Sequence, residues 1–177
     1  MNFYKLKFDN VFVFEPHVYE DERGFFFESF NQNVFNNVVS KKVKFVQINH
    51  SKSVKNVIRG IHFQKKPFEQ GKLLRVLKGT ILDVMLDLRK NSITYLEWDS
   101  LEVSEENKKQ IWIPEGYGHG FSVLSETAEV EYLTTNFYNS KSEETILWND
   151  NKLNINWNVT NPIISEKDRK GKTIDFI

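Results

Sequence analysis

A histidine, a lysine and an arginine stand among apolar residues in Val57-Ile58-Arg59-Gly60-Ile61-His62-Phe63-Gln64 and Gly71-Lys72-Leu73-Leu74-Arg75-Val76. Where water is scarce, each needs a partner or a task. A lone histidine is most often a satisfied core residue, but His62 with Lys72 and Arg59 nearby suits a general base, since imidazole titrates near neutrality. Lys72 would ordinarily snorkel over strands; beside a ketone it would stabilise the oxyanion of an enolate. A second group follows in Pro114-Glu115-Gly116-Tyr117-Gly118-His119-Gly120-Phe121, and Tyr132 stands in the alternating stretch Glu129-Val130-Glu131-Tyr132-Leu133. A tyrosine there usually packs with its hydroxyl satisfied. Opposite a base, it would return a proton to the other face of a carbanion. The chemistry that these residues suit is proton transfer at carbon, with neither a metal nor a covalent nucleophile. The base needs a carboxylate on its second nitrogen, and Asp168 is a candidate that spacing alone cannot select.

The elements that must position these groups read as short strands. They are Val11–Phe14, Phe25–Ser29, Phe45–Ser51, Val57–Phe63, Lys72–Lys78, Thr80–Leu88, Tyr95–Val103, Gln110–Ile113, Gly120–Leu124 and Ala128–Asn136, rich in β-branched and aromatic residues and punctuated by Gly, Pro, Asn or Asp. Lys78-Gly79 reads as a tight hairpin. Residues 31–39 and 104–108 suggest a helical turn or two, and the tail after Leu147 wraps the body as loops and a short helix. Evenly spaced strands without intervening helices predict an all-β sandwich, jelly roll or barrel. Alternation puts Gln47, Asn49 and Ser51 on one strand face and Val46, Ile48 and His50 on the other. Arg59 has the wrong parity to share the His62 face, so a bulge or the strand end must intervene if it joins the site.

Composition removes several classes. The 177 residues, 40% of them hydrophobic, are enough for one domain with its own core. Net charge is zero, which argues against nucleic acid as a partner. The absence of cysteine excludes thiolate zinc sites, disulfides and cysteine nucleophiles. No apolar run approaches a membrane span and no signal peptide is recognisable, so a cytoplasmic protein is expected.

Pro114-x-Gly116-x-x-His119 resembles the second motif of cupin barrels, many of which bind metal. The first motif wants His-x-His, and here the chain reads His62-Phe63-Gln64. Two histidines with Gln64 and Glu69 make a poor metal site. His17 and His50 read as structural or surface residues. Asp21-x-Arg23-Gly24-x-Phe26-x-Glu28 is either a turn with a solvated ion pair or an arginine for phosphate, a ring for a base and a carboxylate for a base or sugar edge. Asp83 and Asp87 share a strand face, and their flanks suggest structural hydrogen bonding.

Taken together, Asp21–Glu28, Gln47-Ile48-Asn49-x-Ser51, Arg59-Gly60-Ile61-His62-x-Gln64, Lys72–Val76, Asp83–Arg89, Ile113–Phe121, Tyr132, Ile146–Asp150 and Ser165–Asp168 resemble the dTDP-4-dehydrorhamnose 3,5-epimerases. The resemblance runs in order from about residue 8 to 170. It implies one domain over residues 1–177, a cupin-type double-stranded β-helix (jelly roll) with its core at about 20–140 and a short C-terminal helical or loop extension. It further implies a homodimer, no cofactor, and a dTDP-linked 4-keto-6-deoxyhexose as substrate. It casts His62 as base with Asp168, Tyr132 as acid and Lys72 as enolate stabiliser. Arg59, Gln47, Asn49, His119, Glu143 and Lys167 match substrate-contacting positions, with Tyr138 near the sugar or base. Arg23 and Glu28, with Phe26 between them, match positions that reach the nucleotide across a dimer interface. Asn136-Phe137-Tyr138 departs from the family, because many members carry a second tyrosine at 137, and this bears on whether C3, C5 or both are inverted. A sugar-nucleotide 3,4-ketoisomerase, a non-catalytic sugar-nucleotide-binding cupin and a metal-dependent cupin oxygenase are the alternatives.

Overall fold

Residues 1–177 are described by a computed structural model. The elements are β1 (Asn2–Lys5), β2 (Phe12–Glu15), β3 (Tyr19–Asp21), β4 (Gly24–Phe26), α1 (Gln32–Val38), β5 (Gln47–Val54), β6 (Val57–Gln64), β7 (Lys72–Lys78), β8 (Thr80–Asp87), β9 (Trp98–Ser104), β10 (Gln110–Ile113), β11 (Tyr117–Val123), β12 (Thr127–Thr134), β13 (Glu143–Thr145), β14 (Ile163–Ile164) and α2 (Glu166–Arg169). One sheet runs β1-β2-β10-β7-β12-β5. The facing sheet runs β13-β6-β11-β8-β9, with β14 parallel to β6. This is the expected all-β jelly roll, open at its edges. Its first sheet begins at β1, ahead of the core expected from residue 20. No helix is long and apolar enough to cross a membrane.

Period-2 alternation explains the layers. Leu74, Val76, Ile111, Ile113 and Val130 from the first sheet meet Ile81, Met85, Phe121 and Val123 from the second in the central core. The alternate residues of β8, Leu82, Val84 and Leu86, pack outward under Ile146, Leu153, Trp157, Ile164 and Ile174 of the C-terminal tail. Burying each such side chain stabilises the fold by about 1.5–3 kcal/mol. Asp150 fixes the tail by accepting hydrogen bonds from the Lys152, Leu153 and Ile174 amides. On the far side, α1 lays Phe35 against Phe14, Leu73 and Trp112. Its N-cap is Asn31, whose side-chain oxygen accepts from the Asn33 and Val34 amides.

Three expectations fail for identifiable reasons. The chain turns at Gly79 (φ +78), but β7 and β8 belong to opposite sheets, so the turn is a crossover and not a hairpin. Residues 105–107 form a turn closed by Ser104 and Asn107, which exchange side-chain bonds with each other's amides, and no helix forms. The stretch expected as a strand from Phe25 instead ends at Phe26 in a two-stranded hairpin with β3, which leaves Phe25 and Phe26 exposed.

The bulge demanded by Arg59 is present. His119 opposes His62 and Phe121 opposes Arg59, so Gly60 and Ile61 together face Gly120. Gly60 has φ +121, and a Cβ there would stand 2.6 Å from Gly120 Cα and 2.8 Å from the His119 carbonyl oxygen. Gly24 has nearly the same φ, +119, with open space around it. The two glycines separate dihedral strain from collision. Gly24→Ala should cost about 1 kcal/mol for its dihedral alone, and Gly60→Ala at least about 2 kcal/mol more. Equal losses in denaturant midpoint would contradict the close crossing.

Candidate active site

Between the two sheets lies a cavity of about 380 Å³. The second sheet supplies His62 and Arg59 from β6 and His119 from β11. The first supplies Lys72 from β7, Tyr132 from β12, and Gln47, Asn49 and Ser51 from β5. Glu143 of β13, Tyr138 of the preceding loop and Lys167 of α2 close the rim. All of these line the cavity, so alternation along β5 and the bulge in β6 set the site as the sequence suggested. His62 and Tyr132 come from facing sheets, with Lys72 beside Tyr132 on the same wall through the Thr134–Lys72 register.

Asp168, although 106 residues away, accepts from His62 Nε2 across 2.5 Å. Its second oxygen accepts from the Gly60 amide at 3.4 Å, and Ser165 caps α2 by accepting from the Asp168 amide. With Nε2 engaged, Nδ1 is the nitrogen left for a ligand. Burial pushes the His62 pKa below its ordinary value, more than the Asp168 contact raises it. Burial would raise the Asp168 carboxyl, but the His62 and Gly60 contacts outweigh it and hold the carboxyl low. The neutral imidazole beside a carboxylate is a base ready to accept a proton.

Lys72 has its pKa lowered to about 8, chiefly by burial, with Asp83 and Glu143 opposing the shift. Burial raises the Tyr132 pKa, so its phenol stays protonated through the neutral range. At the rim, Glu143 accepts from Lys167 Nζ at 2.6 Å and from the Tyr138 hydroxyl at 2.9 Å. Arg59 is aimed by donating from Nε to Ser53 Oγ at 2.9 Å and from Nη2 to the Lys52 carbonyl at 3.2 Å. Gln47 donates to Asn49 Oδ1 at 2.8 Å and accepts from the Tyr138 amide at 3.1 Å.

Arg23, Phe26 and Glu28 do not reach this cavity within the chain. Arg23 pairs with Asp21 on the exposed β3–β4 hairpin, Phe26 is 69% exposed, and Glu28 accepts from Asn31. Phe137 is exposed and absent from the lining, so the departure at that position does not change the wall; Tyr138 does line it. His17 and His50 lie outside the cavity, as expected. Gln64 spends its amide on the Phe68 and Phe137 carbonyls and the Asn139 amide, as an organiser of the loop.

Sequence reasoning missed Gln70 and Phe121 as cavity residues and grouped Asp83 with Asp87. The structure separates the two aspartates. Asp87 ties down its own loop through Arg89, Ser92 and Thr94, whereas Asp83 meets His119 Nε2 at 2.8 Å behind the cavity wall. A carboxylate on the inward face of the otherwise apolar strand Thr80–Asp87 was the available signal.

Comparison with known proteins agrees with this geometry. The dTDP-4-dehydrorhamnose 3,5-epimerase family model matches residues 5–175. A dTDP-4-dehydrorhamnose 3,5-epimerase of Shigella flexneri is 53% identical over 172 residues, which cover 97% of this chain and 95% of that protein. A crystal structure of the Elizabethkingia anophelis dTDP-4-dehydrorhamnose 3,5-epimerase superposes with a TM-score of 0.94 at 42% identity, over 99% of this chain and 97% of that one. A dTDP-6-deoxy-D-glucose-3,5-epimerase of Legionella pneumophila, solved in complex with dTDP-4-keto-L-rhamnose, superposes at 0.95 with 40% identity, over 99% and 94%. Like them, this chain is a member of the dTDP-4-dehydrorhamnose 3,5-epimerase family, with the cupin-type jelly roll of that family.

Proposed function

We propose that the protein inverts C3 and C5 of dTDP-4-dehydro-6-deoxyglucose to give dTDP-4-dehydro-L-rhamnose. The observation that carries this reading is the placement of His62 and Tyr132 on facing sheets across one cavity, with Lys72 beside Tyr132 in the first sheet. A sugar ring held there presents opposite faces to the base and to the acid.

The protons at C3 and C5 flank the C4 ketone. The Lys72 ammonium stabilises negative charge on the ketone oxygen, and the His62 imidazole takes the carbon-bound proton. The enolate then receives a proton from the Tyr132 hydroxyl on the other face, and collapse of the enolate restores the ketone with inverted configuration. His62 then releases its proton to solvent and the Tyr132 phenolate takes one up, which resets both groups for the second carbon. Asp168 stabilises the imidazolium that forms. These steps need no cofactor. Arg59, Gln47, Asn49, His119, Glu143, Lys167 and Tyr138 hold the sugar and diphosphate.

Arg23, Phe26 and Glu28 serve a neighbouring cavity in a homodimer. Their exposure supports this, as do Ile48 and Val54, which stand exposed on the outer face of the edge strand β5, and Val46 just before it. The protein acts in the cytoplasm as a biosynthetic enzyme of surface polysaccharides.

His62→Asn should cut exchange of the C3 and C5 protons by roughly 10²–10⁴ with little change in dTDP affinity. Tyr132→Phe should keep exchange in deuterated water but lose inversion. Wild-type turnover in either variant would remove that residue from its role. The pH profile of kcat/KM should be a bell. Its acid limb falls as pH drops through the lowered His62 pKa, where the base becomes protonated. Its alkaline limb falls as pH rises through about 8, where Lys72 loses its proton. A profile with no fall between pH 7 and 9 would contradict the Lys72 assignment. Light scattering should give twice the 21.0 kDa chain mass. Mixing His62→Asn with Arg23→Ala subunits should restore part of the activity, since one cavity then combines an intact base with an intact hairpin; no gain on mixing would place Arg23 elsewhere.

A further inference from the structure

Asp83 is the deepest charged group near the cavity. It is fully buried on β8, and only one of its oxygens has a partner: Oδ2 meets His119 Nε2 at 2.8 Å, while Oδ1 is sealed from solvent with no hydrogen bond. A buried carboxylate oxygen without a donor is costly and needs a reason. The reason lies across the cavity wall. Lys72 enters from the opposite sheet, and Asp83 is the opposing charge that acts on it most strongly, followed by Glu143, with Lys167 acting against both. These charges act on Lys72 through space and not through a hydrogen bond, so the ammonium hydrogens stay free for a ligand.

Resting on the epimerase reading, we infer that Asp83 is a positioning residue: a counter-charge set one layer back that keeps Lys72 protonated for the enolate while it fixes His119. A carboxylate in direct contact with Lys72 would neutralise it and occupy the donors that the oxyanion needs. Held out of contact, it keeps the ammonium charged without competing for those hydrogens. Its bond to His119 sets which ring nitrogen of that histidine faces the ligand.

The groups that share the space around Lys72 are Asp83 on β8, His119 on β11, His62 and Arg59 on β6, Tyr132 on β12, Glu143 on β13, Tyr138 before it, and Lys167 on α2. Of these, only Asp83 and Glu143 are carboxylates. Glu143 is already engaged by Lys167 and Tyr138 at the rim. Asp83, by contrast, keeps one oxygen, Oδ1, with no partner in contact.

The test is Asp83→Asn, which keeps shape and can still bond His119 but removes the charge. Loss of a nearby opposite charge lowers a lysine pKa by about one to three units. The alkaline limb of the kcat/KM profile should move to lower pH by at least one unit, with kcat/KM at pH 8 falling at least about fivefold and recovering as pH is lowered. An unmoved limb in a folded variant, or a uniform loss of kcat/KM at every pH, would overturn the proposal. A titration of the wild-type protein without substrate guards against a variant that fails to fold. Nitrogen-15 lysine spectra should show Lys72 titrating near 8. A Lys72 already neutral at pH 7 would overturn the proposal in the same way. This titration stands apart from the epimerase reading, which fails only if the wild type leaves the C3 and C5 protons unexchanged.

Discussion

Two backbones cross at Gly60 and Gly120 with no space for a side-chain carbon on either, and much of the cavity follows from that approach. A Cβ on Gly60 would press on Gly120, and one on Gly120 would stand 2.8 Å from the Arg59 carbonyl oxygen. The extra residue in β6 at this point reverses the parity of the strand. Arg59 and His62, which would otherwise face opposite ways, then line one wall. The same bulge offers the Gly60 amide to Asp168, so the C-terminal helix docks where the base needs its carboxylate. One local irregularity thus joins Arg59, His62 and Asp168.

Burial then decides the protonation of the groups around the ligand. Low dielectric favours neutral forms, and for two of the three reacting groups the neutral form is the useful one. His62 is kept unprotonated and Tyr132 protonated by the same physical cause. Lys72 is the exception, since burial works against the charge that it must carry. That explains why carboxylates surround it: Glu143 at the mouth and Asp83 behind His119. At the mouth, Lys167 and the Tyr138 hydroxyl both donate to Glu143.

Alternation made much of this legible in the chain. The inward face of β5, the opposed faces of β7 and the need for a bulge at Arg59 follow from a period of two, and all three hold. Contacts of long sequence separation were not legible. Nothing in the spacing selects Asp168 for His62 over 106 residues, and only resemblance did so. The hairpin expected at Gly79 failed because a glycine turn has the same local signature whether the chain stays in one sheet or crosses to the other. Asp83 and Asp87 look alike in sequence, and they part only when β11 brings His119 against one of them.

The central claim is that carbon-bound protons leave to His62 and return from the opposite wall while the ketone oxygen rests on Lys72. The most direct measurement incubates the wild-type protein with dTDP-4-dehydro-6-deoxyglucose in deuterated water and follows the sugar by proton NMR. Loss of both the C3 and C5 signals, with appearance of the L-configured product, is the result expected. Binding of the sugar nucleotide with both signals intact would contradict the account, and loss of one alone would confine the chemistry to a single centre.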